Sequence, residues 1–193
     1  MKDVPLFPLN TVLFPDGLLP LRIFEARYLD MISESLKLEK AFGVCLITNG
    51  NEAGAPADCH EIGTLAHIVD WDRDADGLLN VIVRGGQRFH ILERRIRNNH
   101  LIESDIELID DNDDEELPIE HQLLSDLLRQ IANKFELSYL DENDKYLDAE
   151  WVGFRLAELL PLELDDKQSL LETSDAILRL DKIQEMLQVI TPQ

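Results

Sequence analysis

Apolar residues change their spacing once along the chain. From Val4 to about Ile109 they come in short runs. Phe42 to Ile47, Ile62 to Trp71, Leu78 to Val83 and Phe89 to Ile96 are rich in β-branched and large apolar residues, with turn formers between them, a pattern that predicts strands. Phe24, Tyr28 and Ile32 recur at helical spacing and predict one helix in this half, with Phe24 and Tyr28 packed inward. Later the period becomes helical. Ile119, Leu123, Leu127, Ile131 and Phe135 form one stripe, and Val152, Leu156, Leu159 and Leu160 a second that stops at Pro161. Asp165 followed by Gln168 has the form of a capping arrangement, and Ser174 precedes a last periodic run of Ile177, Leu180, Ile183, Leu187 and Ile190.

Between the two halves, Glu103 to Glu116 holds nine carboxylates and no Lys or Arg. Like-charge repulsion and a shortage of core-forming side chains predict a solvated linker there. The chain is therefore read as α+β: a β-rich unit over residues 1–109 with one helix, an acidic linker over 110–117, and a helical unit over 118–193.

Charge narrows the choice of partners. Eighteen Lys and Arg stand against 39 Asp and Glu in 193 residues, a net charge of −21. Nucleic-acid affinity comes largely from cationic side chains displacing counterions, so such a surface disfavours nucleic acid and anionic membranes. No run of roughly 18 apolar residues predicts a spanning helix. The opening block is not read as an export signal, because Lys2 is cancelled by Asp3 and Pro5, Pro8, Pro15 and Pro20 break any apolar helix. Two cysteines make no disulfide framework, which favours a reduced, cytoplasmic setting.

Candidate chemistry adds little. "DRDADG" (Asp72–Gly77) matches the start of a calcium loop, but its twelfth position is Val83 where a bidentate carboxylate is needed. A hairpin turn with Asp76-Gly77 supplying positive φ angles explains it better. Cys45, Cys59, His60 and His67 have neither metal-ligand nor catalytic spacing. Gly85-Gly86 lies between two strand-like runs and is read as a bend or bulge, since no Gly-Lys pair marks a phosphate loop. No cofactor, metal or catalytic residue is expected. Arg84, Arg88, Arg94, Arg95 and Arg97 form one basic patch, which keeps RNA binding as an alternative.

The most specific pattern is the opening block itself, "PLFPLNTVLFPDGLLPLRIFEARY" (Pro5–Tyr28). With "GTLAHIVDW" from Gly63, "VIVRGGQRFHI" from Val81 and "ELLPLELDDKQSLLE" before a last helix, it resembles the Lon protease amino-terminal, substrate-binding domain family over essentially the whole chain. The resemblance implies a PUA-like β pseudo-barrel followed by a C-terminal α-helical bundle. It also implies a non-catalytic module that binds unfolded or tagged client polypeptides, with a separate protease or chaperone as a further partner. PUA-like folds elsewhere bind RNA, and a small-molecule or enzyme site at the barrel mouth, around Cys59 and His60, is a third reading.

Pro5, Phe7, Pro8, Phe14, Pro15, Phe24, Glu25, Arg27, Tyr28, Gly85, Arg88 and Phe89 carry the family motif and are read as structural. Prolines at these intervals confine the block to edge strands and corners, with Leu6 to Phe14 mostly inward and Asp16-Gly17 in a tight turn. Leu18 and Leu19, which follow that turn, and Trp71 are the residues expected to contact a polypeptide.

Overall fold

Prolines at positions 5 and 8 do not prevent a first strand, β1 (Val4–Leu9). The computed structural model describes residues 1–110, 115–140 and 143–190. Its contacts divide the chain into two units, Met1–Asp110 and Asp111–Gln193. In the first, β1 is followed by β2 (Leu18–Ile23), helix α1 (Ala26–Leu38), β3 (Phe42–Asn49), β4 (Asp58–Cys59), β5 (Ile62–Arg73), β6 (Leu79–Ile96) and β7 (Ile102–Leu108). Neighbouring strands run in the order β1-β7-β6-β5-β3, and β1 also pairs with β3 in parallel, so the path returns on itself. β4 adds to β3 and β2 adds to β6.

The apolar block supplies both sides of this core. Phe7, Leu9 and Leu13 join Leu21, Ile23, Tyr28, Met31, Ile32, Phe42 and Val81 in one buried cluster. Val4 and Leu6 join Cys45, Phe89, Ile91 and Ile106 in another. Phe14 is also buried. The stripe of α1 is Tyr28, Met31, Ile32 and Ser35. Phe24 is not part of it: the helix begins at Ala26, so the helical phase does not reach Phe24, which is 63% exposed rather than packed inward.

β6 is one strand of 18 residues rather than two. A register shift places Thr64 opposite Arg88 but Ala66 opposite Gly85, a bulge that bends the strand. Its first part pairs with β2 and its last with β7. Glycine is required at the bend because a Cβ on Gly85 would fall on the Phe14 carbonyl oxygen, and one on Gly86 would lie 2.7 Å from His67 Nε2. The β5–β6 hairpin closes with the Asp74 N–H donating to the Leu78 carbonyl and the Gly77 N–H to the Asp74 carbonyl, 2.9 and 2.8 Å. Of the Asp76-Gly77 pair only Gly77 has a positive φ, 80°. This is a three-residue turn ending in a left-handed glycine. Asp16 takes a φ of 61° in its own turn.

The second unit holds α2 (Gln122–Lys134), α3 (Ala149–Leu159), α4 (Leu164–Glu172) and α5 (Ala176–Ile190). α3 is buried almost all round and contacts the other three. Three expectations change here. The buried face of α2 is Leu124, Ser125, Leu128 and Ala132, while Ile119, Leu123 and Phe135 are 91%, 79% and 63% exposed. The apolar arc of α2 is wide, and burial follows the face where the small Ser125 donates to the Tyr146 carbonyl at 2.8 Å. Asp165 lies within the first turn of α4, after its cap residue Glu163. The cap of α5 is Asp175, whose carboxylate accepts the Leu178 N–H at 2.8 Å, not Ser174.

Of the acidic run, residues 111–114 lie outside the described residues. In Glu115–Leu117, Glu116 is exposed and Leu117 buried, and the main chain is tied down: the Leu117 N–H donates to the Leu147 carbonyl and the Ala149 N–H to the Glu115 carbonyl.

Candidate functional site

Alternation along β2 turns Leu21 and Ile23 inward and leaves Pro20 and Arg22 exposed. The chain then reaches Glu25, extended at φ −80° and ψ 135°, and enters α1. Phe24 is thereby exposed and Tyr28 buried, and both line one groove. Tyr28 stacks on Phe7 with ring centroids 4.0 Å apart, and the Arg27 guanidinium lies 4.6 Å from the Tyr28 centroid. Arg27 is buried, donates to the His100 carbonyl at 3.0 Å and pairs with Glu25 at 3.2 Å. The His100 carbonyl and the Glu25 carboxylate thus partner the guanidinium, while its buried Nε makes no hydrogen bond among the described residues. Burial pushes the Tyr28 phenol up to about 12, against an opposing pull from Arg27.

Together these elements enclose an open groove of about 360 Å³, lined by Phe7, Leu9 and Thr11, by Leu19 through Glu25, and by Tyr28 and Glu52. Its lining is mostly apolar, and its charged members are Glu25, Glu52 and Arg22, the last paired with Asp74 at 3.4 Å. Glu52 accepts the Asn10 N–H at 2.7 Å, and Glu25 is the residue paired with Arg27. The volume falls in the usual range for ligand pockets.

The structure separates the three residues expected to contact a polypeptide. Leu19 lines the groove and packs against the core cluster. Leu18 is half-buried and outside the lining. Trp71 is 54% exposed and sits opposite Val81, which in turn sits opposite Leu21, so β6 lies between its strand and β2. Phe24, Ile23 and Tyr28 were not expected at a binding surface. The signal for Phe24 was its place just before a helix start, where helical phase no longer dictates burial.

The basic patch is largely neutralised. Arg94 pairs with Glu61 at 3.0 Å, Arg95 with Asp3 at 2.8 Å and Asp105 at 2.5 Å, and Arg97 with Glu103 and Glu34. Arg88 is fully buried. Arg84 is exposed, but phosphate contact by Arg94, Arg95 or Arg97 would have to break these pairs, which disfavours the RNA reading. Cys45 and Cys59 are buried free thiols hydrogen-bonded to each other. That contact, with burial, raises Cys45, whereas Cys59 is lowered as the partner of Cys45 and neighbour of Arg94. Among the described residues no group of three or more His, Cys, Asp or Glu is placed to hold a metal ion. No helix among them is long and apolar enough to cross a membrane.

Comparison with known proteins places this geometry in a lineage. The family described as ATP-dependent protease La (LON) substrate-binding domain matches residues 3–189. A crystal structure of a Lon N-terminal domain protein from Xanthomonas campestris is similar with a TM-score of 0.81 at 35% identity, 100% of each chain being covered. The N-terminal domain of Mycobacterium avium complex Lon protease has a TM-score of 0.70 over 95% of this chain and 97% of its own; at 17% identity the likeness is one of fold. Lon protease 1 of Bdellovibrio bacteriovorus is 29% identical over 95% of this chain. The chain spans about a quarter of the length of the curated relatives it matches, 24% of that protease and 23% of Lon protease from Dictyoglomus thermophilum.

Proposed function

The chain belongs to the ATP-dependent protease La (LON) substrate-binding domain family, and from that premise we propose that it captures client polypeptides by laying an apolar segment in the groove beside β2. In this reading the strand ring is a PUA-like pseudo-barrel, α2 to α5 form a helical bundle, and the module is non-catalytic. It works in the cytoplasm alongside a separate protease or chaperone that acts on what it holds.

One observation carries the proposal: a large aromatic side chain, Phe24, is 63% exposed while lining a groove that also holds the Phe7–Tyr28 stack. An exposed aromatic costs solubility and contributes nothing to the core, whereas it offers a client a rigid anchor. Family membership supports a substrate-recognition role in general. The net charge of −21 favours apolar segments flanked by basic residues.

The test is a fluorescence-anisotropy titration with labelled apolar, basic unfolded peptides. Phe24→Ser is expected to weaken binding about tenfold without changing the melting curve, since an anchoring aromatic is typically worth more than about 1 kcal/mol. Leu19→Ser should weaken it too, and Trp71→Ser should not. Absence of binding at high micromolar peptide, or equal binding by Phe24→Ser, overturns the proposal.

A further inference from the structure

Two incomplete strand edges border the groove. Among the described residues β2 pairs only with β6, through Leu18–Ile23. β1 pairs with β7 over Val4–Leu6 and with β3 over Leu6–Leu9, so beyond Leu6 one edge of β1 has no strand beside it. The groove is lined from both sides of this gap, by Phe7 and Leu9 and by Leu19 to Ile23. Among the described residues other edges are free as well, that of β5 beyond Ala66 and that of β4, but they do not line the groove.

The chemistry of an unpaired edge is specific. It presents main-chain N–H and C=O groups that need partners when water is displaced. A helical segment has already used its own backbone groups, and a compact apolar ligand has none to give. An extended segment satisfies the edge while its alternate side chains enter the groove. Along β2 main-chain groups face this edge at alternate positions of Leu18–Ile23, with Pro20 contributing no N–H, whereas β1 offers only the shorter stretch Phe7–Leu9, with Pro8 likewise lacking an N–H.

Resting on the groove reading above, we propose that the client binds as an added β-strand along the free edge of β2. Every second side chain points over Leu21, Ile23 and Tyr28, and a Lys or Arg lies beside Glu25 and Glu52. The occupant is therefore an extended, apolar segment with a basic residue at one end. A second copy of this chain is disfavoured by charge, since each copy carries −21. Because the main chain supplies the contacts, many client sequences fit, provided they are unfolded enough to extend.

Backbone N-methylation distinguishes strand addition from ordinary apolar contact, because it deletes amide donors and leaves side chains in place. A peptide of about eight residues, apolar with one terminal Lys, is compared with two versions N-methylated at alternate positions. In strand addition only one alternate set faces β2, so one version is expected to bind about tenfold more weakly and the other within about twofold of the parent. Replacing the Lys by Glu should weaken binding, and Glu52→Lys should reverse that preference. If the two methylated versions bind alike while Phe24→Ser still weakens the parent peptide, strand addition is wrong and the groove reading stands. If the parent peptide does not bind, or ignores Phe24→Ser, the groove reading falls and this inference with it.

Discussion

Gly85 shows how little room the first unit leaves at its bend. The added Cβ of Gly85→Ala would meet backbone, the Phe14 carbonyl, which cannot rotate away as a side-chain tip can. The variant is expected to lose at least about 1–3 kcal/mol, read as a lower urea midpoint with an unchanged slope. A second residue sets a pH response. Burial raises the Glu158 carboxyl above its ordinary 4.5, against the pull of Arg155 and Lys167. The folded state therefore favours the protonated form. This contribution is fully present below about 4.5 and is lost as the pH rises through the higher folded value. Glu158→Gln mimics the protonated form at every pH. Urea midpoints measured from pH 4.5 to 7.5 should thus shift in favour of the variant as the pH rises; a constant gap refutes the assignment.

Among elements, α2 provides the sharpest contrast between sequence pattern and structure. Leu123 and Leu128 are both helical leucines, but only Leu128 is buried. Leu128→Ala should cost about 2–5 kcal/mol, and Leu123→Lys should change stability by less than about 0.5 kcal/mol; chemical denaturation of the two variants decides it. Periodicity identified the helix and missed its buried face, because a helix that is apolar over a wide arc offers two phases and only its neighbours choose between them. The same limit explains Ser174 and Asp175, adjacent residues that can both cap. Strands were more legible. Pro and Gly punctuate them, so the runs around β3, β5 and β6 could be placed, although the bulge that joins the two runs of β6 depends on the facing Thr64 and Ala66. The groove was the least legible feature. Leu19, Phe24 and Glu52 come from a strand, a helix entry and a loop, and no local pattern records that they meet.

For the molecule as a whole, net charge is the dominant long-range force. A surplus of 21 negative charges repels itself within the folded volume more than in an expanded chain. Salt at physiological strength shortens the reach of that repulsion to about 8 Å. The melting temperature is therefore expected to rise between about 0.01 and 0.15 M NaCl, as followed by circular dichroism. A fall would show that local ion pairs such as Arg95 with Asp105 outweigh the general repulsion.

The pairings of β1 also set a timetable. Leu6 lies opposite Gly43 in β3, whereas Val4 lies opposite Ser104 in β7. At the usual pace of translation, about 5–20 residues per second, the ribosome needs about 5–20 s to get from Val4 to Ser104. Throughout that interval one side of an apolar strand has no native partner, the condition under which nascent chains stick to one another. Pro5 and Pro8, an odd number of residues apart, face opposite edges of that strand, so each edge lacks one donor and a stranger pairs with it less well. The prolines that open the chain thus protect it while it waits to be completed.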